Sequence, residues 1–306
     1  MNGTLAVARY TLLELSRRKL LLVFFVIGVL GIAAIGIALK LVPTNMSFGG
    51  GPPGTPQPDP AVVSRFLELQ FVRTLIGVVG FFALLIAFAI GMTAIYHDLE
   101  SGAAVAIFSK PVSRLAFTAG KVIGAFIAMV VVVGLLGLEA RLLMTLFGGG
   151  LEGAMWVETV AAVANASLLM LIVLALSTWM NNIIAAVVAF IYNFAASIVV
   201  GLHAQVVNAG VIGDNPIVKT VLTILYWLVP HPLMSDASKQ IAKAQFEMFP
   251  PTMGPGGQVP GPGAPTTDQM LAGVPGGSGI EDILWWAFGI AFMAALVYIA
   301  VRRKQV

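Results

Sequence analysis

The residues best suited to chemistry or recognition gather in one polar stretch. It runs His97-Asp98-Leu99-Glu100-Ser101-Gly102, then Ser109-Lys110-Pro111-Val112-Ser113-Arg114, then Gly120-Lys121, between two long apolar runs. A Gly-Lys pair cradles phosphate when another Gly precedes it by five residues and Ser or Thr follows; Leu115 and Val122 hold those places, so ATP is not bound here. The chain has no cysteine, which excludes disulfides, thiolate metal sites and a Cys nucleophile. His97, His203 and His231 are far apart and lack metal-ligand or paired-carboxylate spacing, so they read as interfacial polar residues. The thirteen methionines are dispersed through apolar runs, where a thioether fills packing gaps, whereas a copper relay needs Met and His clustered on one cavity. Asn45-Met46-Ser47 fits a glycosylation triplet, which has meaning only in a secretory eukaryotic host.

What remains is docking chemistry. Ala103, Ala104, Val105, Ala106, Ile107 and Phe108 form a helix-capable apolar patch, costly to leave in water and suited to a groove on a partner. Asp98 and Glu100 place negative charge at the start of that helix, where the macrodipole favours it. Lys110-Pro111 ends it, because the residue before proline is steered out of the α region. Ser113 and Arg114 then give a polar return to the next apolar run. A second set of charges, Glu139, Arg141 and Glu158, lies inside apolar runs, where an ionised side chain costs about 2.5–3.5 kcal/mol and must face protein or a cavity. A structural pair between Arg141 and Glu158 is the expectation, with contact to a transported substrate as the alternative.

Composition explains why these residues need a bilayer around them. With 58% hydrophobic and 10% charged residues and a mean hydropathy of +0.95, the chain carries more apolar surface than a water-soluble domain of its size can hide. A net charge of +3 is too small to mark a nucleic-acid partner, despite a pI near 9.3. Six segments suit membrane spans: Leu20 to Leu41, Thr74 to Tyr96, Gly120 to Phe147, Trp156 to Leu176, Ile183 to His203 and Ile283 to Val301. The first reads as a retained helix because it is longer than a usual signal-peptide core. Arg9, Arg17, Arg18 and Lys19 precede the first span, Lys110, Arg114 and Lys121 lie between the second and third, and Arg302, Arg303 and Lys304 follow the last. The positive-inside rule therefore predicts a multi-pass protein of the cell membrane with both termini and segment 97–119 in the cytoplasm.

The remaining segments serve these spans. Leu5, Ala8, Leu12 and Leu15 alternate with Arg9, Glu14 and Arg17 at helical spacing, which predicts an interfacial helix within residues 1–19; an extension of the first span is the alternative. Pro43 to Pro60 is rich in Gly and Pro and reads as an irregular loop, followed by an amphipathic turn over Val62 to Phe71. Segment 204–282 is expected on the opposite side of the membrane. It contains a short apolar helix over Ile217 to Val229 that ends at Pro230-His231-Pro232, and a Pro/Gly-rich irregular lobe over Pro250 to Gly279.

An acidic residue, a Gly, an apolar turn, Ser-Lys-Pro-x-Ser-Arg and a downstream Gly-Lys resemble the first intracellular loop of ABC-2 type permeases, and the six-span layout resembles that family over nearly the whole chain. The resemblance implies an all-α polytopic membrane protein with an N-terminal interfacial helix and short extracellular re-entrant helices before the last span. It implies that Asp98, Glu100, Ser101, Gly102, Ile107, Phe108, Lys110, Pro111, Ser113 and Arg114 couple the chain to a cytosolic ABC ATPase dimer. This chain would carry no cofactor; ATP and Mg would sit on the ATPase. A second permease copy, or a homologous chain, would complete a path for lipid, polysaccharide, drug or peptide export. Ala103 departs from the family, which often has Thr at that place. Two other classes compete: a secondary transporter, marked by coupled mid-membrane charges, and a membrane scaffold that passes ATPase motion to an envelope partner.

Overall fold

The computed structural model describes residues 2–41, 60–96, 112–147, 152–210, 215–248 and 266–303. Among them every regular element is helical: α1 (Asn2–Ser16), α2 (Lys19–Leu41), α3 (Pro60–Thr93), α4 (Arg114–Phe147), α5 (Glu152–Trp179), α6 (Asn182–His203), a π-helical turn (Ala204–Asn208), α7 (Pro216–Leu228), α8 (Ala237–Met248), α9 (Thr267–Ala272) and α10 (Ile280–Arg303). Six of these, α2 to α6 and α10, are long and apolar enough to cross a membrane. The protein is an all-α polytopic membrane protein.

Burial sorts the spans into layers. The span of α5 is 72% buried and that of α3 is 56% buried, so these two form the centre. Only 22% of α2, 22% of α6 and 17% of α10 is buried, and Ile184, Val187, Phe190, Ile191 and Phe194 on α6 are exposed. Apolar surface of that extent requires lipid or another protein to cover it. Between spans the hydrophobic effect gives no drive in lipid, so contact depends on close van der Waals approach at small residues. Gly91 of α3 lies so near α5 that a Cβ there would stand 2.8 Å from the Met170 carbonyl oxygen, and Gly137 of α4 similarly faces Thr159.

α1 and α2 are separate helices. Arg17 and Arg18 close α1 with tight hydrogen bonds to the carbonyls of Glu14 (3.1 Å) and Leu15 (3.0 Å), and α2 starts at Lys19. α1 packs along α4 instead of prolonging α2. Its buried stripe is Val7, Ala8, Thr11 and Leu15, while Leu5, assigned to the apolar face from sequence, is 76% exposed. The stripe differs because α1 lies against Gly120 and Gly124, where short side chains are needed. A second difference concerns α3, which begins at Pro60, a residue pre-organised for a first helical turn, so the amphipathic turn and the second span are one helix.

The two ends of the bundle differ in chemistry. One bears Arg17, Arg18, Arg114, Arg302 and Arg303 and is termed the basic end. The other carries α7, α8 and α9. Part of the segment expected to be irregular up to Gly279 is ordered there, because Thr266 and Gln269 form a reciprocal capping box that starts α9.

Candidate functional site: a pinned strap and a clamped helix

At the end opposite the basic residues, Pro230-His231-Pro232 follows α7. Two prolines fix φ and remove two backbone donors, so residues 229–236 cannot join either neighbouring helix and instead cross the bundle as a strap. Side chains from the spans supply the hydrogen bonds that helix or sheet would otherwise provide. Asn165 of α5 accepts from the Leu233 amide (2.7 Å) and donates to the Leu233 carbonyl (2.8 Å). The Tyr192 hydroxyl of α6 donates to the Pro230 carbonyl, and Ser278 exchanges two bonds with Met234, at 2.8 and 2.9 Å. Ser235 donates to the Glu158 carboxylate and caps α8 by accepting from the Ala237 amide at 3.2 Å.

His231 is the centre of the strap and is 2% exposed. Its Nδ1 lies 2.9 Å from the Tyr226 carbonyl and its Nε2 lies 3.1 Å from Asp282 Oδ1. The Tyr226 hydroxyl donates to the same carboxylate oxygen at 2.8 Å, and the Gly279 amide donates to Asp282 Oδ2 at 2.7 Å. The Tyr226 ring is sandwiched between the imidazoles of His231 (3.8 Å) and His203 (4.3 Å). Burial and the bond to Asp282 push the Tyr226 phenol above its ordinary range, so it stays a donor. A cavity of about 510 Å³ opens beside this cluster, bounded by His203, Asn208, Tyr226, Trp227, Lys239 and Asp282.

The intramembrane charges are arranged differently from the sequence expectation. Arg141 and Glu158 form no ion pair. The Arg141 guanidinium lies over the Trp156 ring, 4.7 Å from its centroid, and Glu158 instead holds the strap through Ser235. Arg and Trp favour this arrangement because the ring face attracts a desolvated cation without a carboxylate. Glu139 has one buried carboxylate oxygen that no hydrogen-bond donor reaches among the described residues.

Asp98, Glu100, Ser101, Gly102, Ile107, Phe108, Lys110 and Pro111 lie outside the described residues. Ser113 and Arg114 are described and have defined tasks. Ser113 Oγ caps α4 by accepting from the Ala116 amide at 3.1 Å. Arg114 donates to the carbonyls of Val301 (3.3 Å) and Arg302 (2.8 Å), carbonyls that the end of α10 leaves without helical partners. Gly120-Lys121, read from sequence as part of the polar loop, is helical and seats α1. A Cβ on Gly120 would be 2.6 Å from Val7 Cβ, and one on Gly124 would be 2.7 Å from Thr11 Cβ. The fully buried Lys121 donates to Glu14 at 2.9 Å and lies 5.2 Å from the Tyr10 ring centroid. Burial raises the Glu14 carboxyl, but Lys121 and then Arg18 outweigh it and hold Glu14 below its ordinary value.

Sequence reasoning missed both constellations. The available signals were a lysine flanked by Gly120 and Gly124 in an apolar run, which demands a nearby carboxylate, and a histidine between two prolines after a short helix. Neither signal names the partner, because Glu14 is 107 positions from Lys121 and Asp282 is 51 positions from His231. No protein-family model and no curated protein matches the chain.

Proposed function

We propose that this chain is the membrane-spanning permease subunit of an ABC-2 type exporter. In this reading a separate cytosolic ATPase dimer hydrolyses ATP, and segment 97–119 receives its motion at the basic end. Both termini face the cytoplasm of the cell membrane, and a second permease copy or a homologous permease completes the transport path. The chain performs no catalysis and binds no cofactor itself; ATP and Mg belong to the ATPase.

The observation that carries the reading is the anchoring of the return from that segment. Ser113 caps α4, Arg114 holds the end of α10, and Gly120, Lys121 and Gly124 grip α1. A displacement of the loop is thereby delivered to two spans and to the N-terminal helix, because packed helices move as rigid elements. The other end, where the strap joins α5, α6 and α10, would be the outward gate.

The test is recovery of the partner. The tagged full chain, isolated from its own cells, should bring with it a chain that hydrolyses ATP, and Ile107→Asp with Phe108→Asp should lower that recovery at least about tenfold, since burial of each large side chain contributes about 1.5–3 kcal/mol. Recovery that is unchanged by these substitutions refutes the docking role. Because the chain has no cysteine, single cysteines at Thr55, Thr267 and Ser113 report orientation. The first two should react with an impermeant thiol reagent in intact cells and the third should not.

A second reading, a proton-coupled secondary transporter, is favoured by the Glu139 carboxylate oxygen that finds no hydrogen-bond partner among the described residues. It requires substrate movement that persists without ATP and stops in Glu139→Gln.

A further inference from the structure

Arg73 stands on α3 at a defined depth. The stretch from Thr74 to Thr93 is about 30 Å long at about 1.5 Å per residue, which matches the hydrocarbon thickness of a bilayer. That stretch finishes at the basic end, where Asn182, opening α6, donates to the Met92 carbonyl (2.8 Å) and Arg303 lies over the Trp179 ring. Arg73 is therefore level with the lipid phosphates of the opposite leaflet. The first turns of α3, Pro60 to Val72, continue about 20 Å beyond it.

The charge of Arg73 is not compensated inside the protein. Among the described residues it has no hydrogen-bond, ionic or ring partner, whereas Arg65, about two turns farther out on the same helix, is paired with Glu68 at 3.0 Å. The chain from 249 to 265, between α8 and α9, has no acidic residue. Arg73 instead lines a cavity of about 390 Å³ between α3 and α8, a volume in the range of small-ligand sites. One face of α8 forms the opposite wall, because Ser238, Ile241, Ala242, Gln245 and Phe246 recur at the spacing that aligns side chains on a helix. Ser238 and Gln245 have no hydrogen-bond partner among the described residues, and no carboxylate is among the described residues that line the cavity.

This lining selects its ligand. The planar fork of a guanidinium fits two oxygens of a phosphate, and a hydroxyl and an amide can donate to the others. Ile241, Ala242 and Phe246 offer a wall that a soluble anion would leave wet and an acyl chain would cover. We propose that α3 and α8 enclose a headgroup site for an anionic membrane phospholipid, with its phosphate on Arg73, Ser238 and Gln245 and the start of its acyl chains along the apolar wall. Such a lipid joins α8, which Ser235 caps from the strap, to α3 at the centre of the bundle. The site rests on the membrane-spanning fold and does not depend on the identity of the ATPase or of the cargo.

The test titrates the full chain, purified in phospholipid-free detergent, with dioleoylphosphatidylglycerol and counts bound lipid by native mass spectrometry. Arg73→Gln should weaken binding at least about tenfold, the least that loss of a charge-assisted hydrogen bond implies, and should melt with the wild type when no lipid is present. Ala242→Trp, which keeps Arg73 and fills the cavity with an indole, should weaken binding to a similar extent. Arg65→Gln removes the same charge from the same helix and should leave binding unchanged. Dioleoylphosphatidylethanolamine should bind more weakly, since no carboxylate lining the cavity would take its ammonium. Dioleoylglycerol, which has the chains without the phosphate, should not compete. Glycerol phosphate, which has the phosphate without the chains, should compete only at an at least about hundredfold higher concentration, because it buries no chain. Binding unchanged in Arg73→Gln or in Ala242→Trp, or lowered equally in Arg65→Gln, overturns the site. Equal binding of the ethanolamine lipid or competition by dioleoylglycerol overturns the anionic headgroup, and glycerol phosphate binding as tightly as the lipid overturns the membrane as its source.

Discussion

Filling the two glycines under α1 is the most direct perturbation of the clamp at the basic end. In Gly120→Ala the new Cβ would stand 2.6 Å from Val7 Cβ and 2.7 Å from the Thr4 carbonyl oxygen; in Gly124→Ala it would stand 2.7 Å from Thr11 Cβ and 2.8 Å from the Ala8 carbonyl oxygen. Ordinary carbon contacts begin at about 3.5 Å, so α1 must retreat by roughly 0.8–0.9 Å at these points, and the backbone oxygens cannot rotate out of the way. The same retreat lengthens the 2.9 Å bond from Lys121 to Glu14 beyond useful hydrogen-bond range. Overpacking of this kind costs about 1–3 kcal/mol and a hydrogen bond between charged groups contributes about 1.5–3 kcal/mol, so the double variant should lose about 2.5–6 kcal/mol. Gly134→Ala is the control: nothing lies within 4 Å of its Cβ position, and it should be neutral or more stable by up to about 1 kcal/mol. Thermal unfolding of the purified chain in nanodiscs measures the loss, and hydrogen exchange of residues 2–16 shows whether α1 has come off α4. If the double variant matches Gly134→Ala in both assays, α1 is not seated on these glycines and the clamp is refuted.

Three further outcomes are expected. Because the Glu14 carboxyl is held below its ordinary 4.5, its ion pairs stabilise α1 above that value and the stabilisation is lost as pH falls through the lower folded value; the protection of residues 2–16 against hydrogen exchange, corrected for the intrinsic effect of pH, should fall in acid in the wild type and lose that dependence in Glu14→Gln. A double-mutant cycle on unfolding should give Arg141 a coupling of about 0.5–2 kcal/mol with Trp156, using Arg141→Met and Trp156→Leu, and essentially additive effects with Glu158→Gln; a large Arg141–Glu158 coupling would contradict the geometry. Arg114→Gln, which removes the charged donor at the end of α10, should cost about 1–2 kcal/mol and speed exchange of the last turn before Arg303 while leaving the strap unaffected; unchanged exchange there would refute the tie.

The sequence alone determined what depends on local composition. Apolar runs long enough to cross hydrocarbon located the six spans, since a helix satisfies its backbone internally and the bilayer leaves few other solutions. The break between Ser16 and Lys19 and the short helix before Pro230-His231-Pro232 likewise follow from signals a few residues wide. Partnership was decided only by the tertiary structure. Arg141 had Glu158 as a plausible mate at similar depth, yet its guanidinium lies over the Trp156 ring and Glu158 is taken by Ser235 of the strap. Lys121 looked like loop chemistry until packing showed that Gly120 and Gly124 admit α1 and bring Glu14 to it. His231 looked like one isolated imidazole until α7 and α10 met around it. The physical reason is common to all three: a span is fixed by the free energy of burying its own residues, whereas an ion pair or hydrogen bond between distant residues depends on helix rotation to within an ångström, which only the packing of every helix together defines.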